Sequence, residues 1–160
     1  MYCADTSAFI EFKILYPIAT FPGLWKRLET LIGWERLVAP HAVLEEIERG
    51  DDELVEWSRG HRAMFKQDTE DLVNKVKEIL EPFPDLVDES KEVEDADPWV
   101  VALAVLEDGR GDLLVMRKCA VITQEHRRMG RSRIPIVCDR QGIECFDWRE
   151  VFKREGWKFE

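Results

Sequence analysis

Four carboxylates in this chain stand where a metal ligand, a base or a nucleophile could be held. Asp5 ends a short apolar run and is followed at once by the hydroxyls of Thr6 and Ser7. Glu46 lies in the segment HAVLEEIER, Asp97 precedes Pro98 and the apolar run WVVALAVL, and Glu125 follows KCAVITQ. A buried strand that delivers a carboxylate to its C-terminal end and turns there into a helix is how open α/β sheets build sites, because ligands sit beyond the carboxyl ends of the strands. Asp5 and Ser7 would serve equally as helix caps, and so would Asp97. The recurrence of acids in comparable settings favours a joint role.

Four carboxylates gathered without a matching internal cation would repel one another and raise each other's pKa. Such a cluster calls for a divalent metal, and all-oxygen ligation favours Mg²⁺ or Mn²⁺ over zinc. Mg²⁺ keeps several waters and binds substrate phosphate, so an acidic cleft can hold a polyanion through the metal. The chemistry expected is phosphodiester hydrolysis, in which the metal lowers the pKa of an attacking water and neutralises charge on the scissile phosphate. No histidine base is then required.

The elements that must position these acids are legible from spacing. At 160 residues and 45% hydrophobic content the chain suits one well-buried core, so a single domain is expected over residues 1–160. Residues 7–15 suit a short helix ending before Tyr16-Pro17. A second helix follows Pro22-Gly23, with Leu24, Trp25, Leu28, Leu31 and Ile32 on one stripe and Gly33 closing it. Trp25 is read as packing. A second strand is expected at 36–39, with Pro40 starting the next helix.

Residues placed 100° apart put Val43, Leu44 and Ile47 on one face of that helix. Glu46 falls at the border of this face, Glu48 at the opposite border, and Glu45 points outward. Asp51 and Asp52 are candidate caps for a helix over 53–65, and Asp68 or Thr69 for another striped by Leu72, Val73, Val76, Ile79 and Leu80. These two read as a helical pair inserted between strand units. PFPDLVDESKEVED is an acidic, proline-containing connection, expected to be the loosest part.

Asp97-Pro98 starts a helix apolar on every side, hence buried. KCAVIT, IPIVC and IECF read as further strands, and 147–154 as a terminal helix. Strands alternating with helices imply an α/β/α architecture, a mostly parallel sheet of four to five strands covered on both faces.

The net charge of −10 argues against nucleic-acid binding by bulk electrostatics. Between Arg117 and Arg133, however, six Lys or Arg residues stand against one acid, Glu125. Cys3, Cys119, Cys138 and Cys145 form no CxxC pair, so free thiols are expected. The longest apolar run is too short to cross a bilayer and the N-terminus lacks a secretory pattern, so a cytoplasmic, membrane-free protein is expected.

Taken in order, ADTSAFIE, PHAVLEEI, DADPWVVALAV and VITQE resemble the four acidic motifs of the PIN-domain nucleases, the group that includes VapC-type toxins. The resemblance runs to about Cys145, and its opening and third motifs are the most specific. YCADTSAFIEF, FPGLW and GWKF are similar to a narrower PIN-like family of about this length.

The resemblance implies Asp5, Glu46, Asp97 and Glu125 as metal ligands, with Thr123 and Ser7 as supporting polar groups. It implies a Mg²⁺- or Mn²⁺-dependent ribonuclease, the toxin of a toxin–antitoxin pair, with RNA as substrate, a small antitoxin protein as partner and a homodimer as a further expectation. Arg127, Arg128, Arg131 and Arg133 would then hold the RNA backbone beside the cleft. Glu125 departs from the Asp of many family members by one methylene, and the second motif carries Glu45 and Glu46 side by side. Asp95, near the third motif, is read as solvent-facing.

Two other functions compete. A PIN-like RNA- or protein-binding subunit would keep the fold with a weakened site. An aspartate-based phosphatase would use Asp5 as nucleophile, although the second aspartate of haloacid-dehalogenase loops is here Ser7.

Overall fold

The chain alternates strand and helix from its first residues, and the short apolar runs pair side by side. Five strands among the described residues, β1 (Tyr2–Ala4), β2 (Leu37–Pro40), β3 (Phe65–Lys66), β4 (Ala120–Ile122) and β5 (Glu144–Phe146), form one all-parallel sheet in the order β3-β2-β1-β4-β5. Central β1 aligns Tyr2 with Leu37 on one side and with Ala120 on the other. The computed structural model describes residues 1–50, 52–87, 95–110, 117–125 and 133–158.

The helices are α1 (Thr6–Leu15), α2 (Pro22–Gly33), α3 (His41–Ile47), α4 (Glu53–Gly60), α5 (Glu70–Leu80), α6 (Asp97–Glu107), α7 (Ile134–Gln141) and α8 (Trp148–Arg154). From β1 the chain steps to β2 and β3, then crosses to the far side of β1 to lay down β4 and β5. Right-handed crossovers therefore place the connections before and after this reversal on opposite faces. Helix α6 lies against β1, β2 and β4, with α5 and α7 beside it, while α1 packs with α3 and α4 and α2 lies against β2. Trp148 of α8 joins that second layer by donating from Nε1 to the carbonyl of Ala8 at 2.8 Å. This is the expected α/β/α fold.

Its core is aromatic under α1. The Phe12 ring is fully buried and meets those of Tyr16, Trp25, Trp148 and Phe152 at centroid distances of 5.3, 5.1, 4.8 and 6.2 Å. Trp25 is packing, as expected, and donates to the Tyr16 carbonyl at 2.6 Å. Phe12→Ala should lower unfolding free energy by about 3–5 kcal/mol in urea titration, because the rings around the gap come from α2, α8 and the residue that caps α1, and cannot all close on it.

Several local expectations are corrected. IPIVC is not a strand but the first half of α7. Pro135 stands in its first turn, and Gly142, at φ 71°, closes it with the backbone that glycine adopts most readily. The helix expected over 53–65 ends at Gly60; a 3₁₀ turn (Arg62–Met64) and edge strand β3 follow. Thus β3 separates the expected helical pair, and α4 packs on α1 and α3 while α5 packs on α6. Pro40 ends β2 and occupies the N-cap position of α3 rather than its first turn.

Asp52 caps α4 by accepting from Leu54, and Thr69 caps α5; Asp51 lies outside the described residues. Half of the acidic connection, residues 88–94, also lies outside them, and Pro84–Leu86 forms a 3₁₀ turn. All four cysteines are free, three of them buried. Among the described residues no helix is long and apolar enough to cross a membrane.

Candidate metal centre

Strand order reverses between β1 and β4, so their carboxyl ends open a crevice where open α/β sheets place ligands. Asp5 follows β1 directly. It is only 3% exposed, and both carboxylate oxygens are engaged. Oδ1 accepts the Ala8 N–H at 2.6 Å, Oδ2 accepts the Thr123 hydroxyl at 2.5 Å, and Ser7 Oγ donates across both at 3.0 and 2.8 Å. Asp5 is thus the N-cap of α1 and at the same time ties α1 to the end of β4. Burial pushes its pKa up to about 7 against the lowering effect of these hydrogen bonds.

Ser7 and Thr123 tie the ends of β1 and β4 together. The Gln124 N–H donates to Ser7 Oγ at 3.1 Å and the Glu125 N–H to Thr123 Oγ1 at 3.0 Å. Thr123 and Ser7, expected as supporting polar groups, both contact Asp5.

Glu46 projects from α3, which follows β2. Its Oε2 accepts the Thr6 hydroxyl and its Oε1 the Ala96 N–H at 3.1 Å, so one side chain links α1, α3 and the start of α6. Glu45 is exposed, and Glu48 is drawn to Arg59 and Arg62 at 3.0 and 3.1 Å. Of the three, Glu46 is the carboxylate that reaches Thr6 and the start of α6.

Asp97 occupies the first turn of α6, with Ala96 rather than Asp97 at the N-cap position. Its carboxyl is pushed up to about 8, first by burial and then by Glu125, Asp95, Asp5 and Glu46. The four predicted acids, with Asp95, therefore share one electrostatic neighbourhood. Asp95 itself is 4% exposed, which corrects the solvent-facing reading. The signal for it was present in DADP, where an acid two residues before Asp97 must enter the same helix start.

Glu125 follows β4 by way of Thr123 and Gln124. Its Oε1 accepts from Arg133 Nη1 at 2.8 Å and its Oε2 from the first N–H of α7, that of Ile134, at 3.0 Å. The acids accordingly have an internal cation, contrary to expectation, and Arg133 also lies in the field of Asp97 and Asp95. Arg133, expected on the RNA backbone, is here paired with Glu125. Arg127, Arg128 and Arg131 lie outside the described residues.

The donor set fits a hard divalent cation in kind and in charge. It offers only oxygens, one arginine faces five acids, and burial followed by the acidic neighbours holds the Asp97 carboxyl far above its ordinary pKa. Among the described residues, however, no three acids are gathered around one point closely enough to hold an ion. Binding one requires side chains to turn.

Over residues 2–159 the chain matches the family described as a domain of unknown function, DUF4411. The chain belongs to that family. No curated protein and no solved structure matches this DUF4411 chain.

Proposed function

We propose that this DUF4411 chain is a metal-dependent endoribonuclease of the cytoplasm, the toxin of a toxin–antitoxin pair held in check by a small antitoxin protein. The observation that carries the catalytic part is the convergence of Asp5, Glu46, Asp97 and Glu125, from the ends of β1 and β4, from α3 and from the start of α6, beside the point where strand order reverses. The resemblance to PIN-domain nucleases supplies the substrate class and the antitoxin. Homodimer formation belongs to the same proposal.

Asp5, Glu46, Asp97 and Glu125 would hold Mg²⁺ or Mn²⁺, which when bound supplies an acidified water and charge neutralisation at phosphate. The chain's own residues do the positioning. Three donors from α1 and β4 clamp Asp5 so that its carboxylate cannot rotate. Thr6 and Ala96 fix Glu46 in the same way. In the metal-free chain burial and the neighbouring acids push the Asp97 carboxyl up to about 8, and a bound cation would hold it ionised.

Purified protein should cleave a mixed RNA pool in Mn²⁺ or Mg²⁺ and stop in EDTA, with Glu46→Gln slowed at least about a hundredfold. A second reading, an RNA- or protein-binding subunit, is favoured by one contact, because both oxygens of Glu125 are already occupied by Arg133 and Ile134. RNA retained on the protein without cleavage in any metal would select that reading and defeat the first.

A further inference from the structure

Glu125 and Arg133 bracket residues 126–132, and each is anchored to a different part of the fold. Glu125 hangs from the end of β4 through its N–H bond to Thr123 Oγ1 at 3.0 Å, and Thr123 itself donates to Asp5. Arg133 is the extended residue that precedes α7. The carboxylate between them is held by the guanidinium at 2.8 Å and the Ile134 N–H at 3.0 Å.

Both partners are largely sheltered, with the Glu125 side chain 15% exposed and that of Arg133 34%. Among the described residues the buried Arg133 Nε meets no acceptor, and the guanidinium is held there by one carboxylate. Donor capacity is therefore left on that guanidinium for a second arrangement.

We propose that Arg133 is the resident counter-cation of this acidic edge, and that a divalent metal and Arg133 compete for Glu125. The inference rests on the metal-dependent reading above. In the metal-free chain Arg133 is the cation that faces this group of five acids, and it keeps Glu125 turned toward α7. To join Asp5 and Asp97 around an ion, Glu125 must give up the guanidinium. Its extra methylene, compared with aspartate, provides the reach for both positions. The released Arg133, still beside the site with five donors, then becomes a partner for an RNA phosphate, and the backbone role expected from sequence follows metal binding rather than preceding it.

The competing physical account is that Arg133 merely orients Glu125 as a ligand. The two accounts differ in sign. Competition predicts that removing the guanidinium tightens metal binding; orientation predicts that removing it loosens binding.

The test is Mn²⁺ titration of the full chain, read by loss of the free-ion electron paramagnetic resonance signal, together with melting in EDTA and in Mn²⁺. Arg133→Met should bind Mn²⁺ about tenfold more tightly than wild type, the scale set by a unit charge several ångströms away in a partly solvated site. It should also melt lower in EDTA and gain more from Mn²⁺. Arg133→Gln keeps an amide donor for Glu125 while losing the charge, which protects the fold, and it should tighten binding similarly. Arg133→Lys, which keeps the charge, should stay within about threefold of wild type.

Unchanged or weaker Mn²⁺ binding in the Met and Gln variants, with wild-type binding measurable, would overturn this inference and leave the metal-dependent reading standing. Absence of wild-type Mn²⁺ binding would overturn both.

Discussion

Asp97→Asn should make the metal-free protein more stable at pH 8, raising its melting temperature in EDTA by about 5–10 °C while removing RNA cleavage. The sign follows from where the protons sit. Asp97 titrates near 8 and Asp5 near 7 in the fold, against 3.8 for the same group in a model peptide. Between about pH 4 and these values the folded chain keeps protons that the unfolded chain has released, so stability falls as pH rises through that window. At pH 5 both groups are protonated in the fold and impose little cost; at pH 8 Asp5 is largely ionised and Asp97 about half so, beside one another and Glu125.

Asparagine at 97 cannot ionise and so avoids that cost. Solvent reaches part of the Asp97 side chain, and screening there limits the gain to about 2–4 kcal/mol at pH 8, with the variant's melting temperature flatter across pH 5–8 than wild type. A melting temperature that rises with pH in EDTA, or an asparagine variant that melts lower at pH 8, would refute the account. Saturating Mn²⁺ should reverse the ranking, since the wild-type carboxylate then gains a partner that the amide lacks.

Asp5→Asn should reduce cleavage by about a thousandfold or more, the loss expected when a carboxylate at the centre of a metal set is neutralised. This substitution separates chemistry from folding. The Ala8 N–H at 2.6 Å demands an acceptor, so the amide oxygen of an asparagine would face it. The amide nitrogen would then face the hydroxyls of Thr123 and Ser7, which can turn and accept in place of donating. The α1 cap therefore survives. Melting in EDTA at pH 8 should be at or above wild type, with Mn²⁺ binding lost in titration. Undiminished cleavage would show that the activity measured belongs to a contaminant or to another site.

Residues whose task depends on neighbours in the chain could be assigned from the chain alone. Asp5 is at a strand end because three buried residues precede it and hydroxyls with helix-forming residues follow, and Glu46 was separated from Glu45 and Glu48 by a 100° rotation per residue. Helix α6 announced itself by Pro98 and by eight apolar residues that no exposed helix could carry. Trp25 and the stripe of α5 were legible as packing from their helical spacing.

The errors have a common origin in short segments whose partner decides their state. IPIVC has β-branched residues that suit a strand, yet Pro135 and Gly142 bound a helix of eight residues, and packing against α6 keeps it. Strand β3 is two residues long and carries no periodicity; it exists because Ala39 and Pro40 offer it a parallel edge. Asp95 became buried through the way α6 enters the fold beside Glu46, and Arg133 became an internal counter-ion through α7 starting next to β4. Periodicity, capping and burial of apolar runs are local properties, so composition and spacing carry them. Which strand lies beside which, where the order reverses, and which cation faces which acid depend on contacts between residues far apart in the chain, and these arise only when the layers pack together.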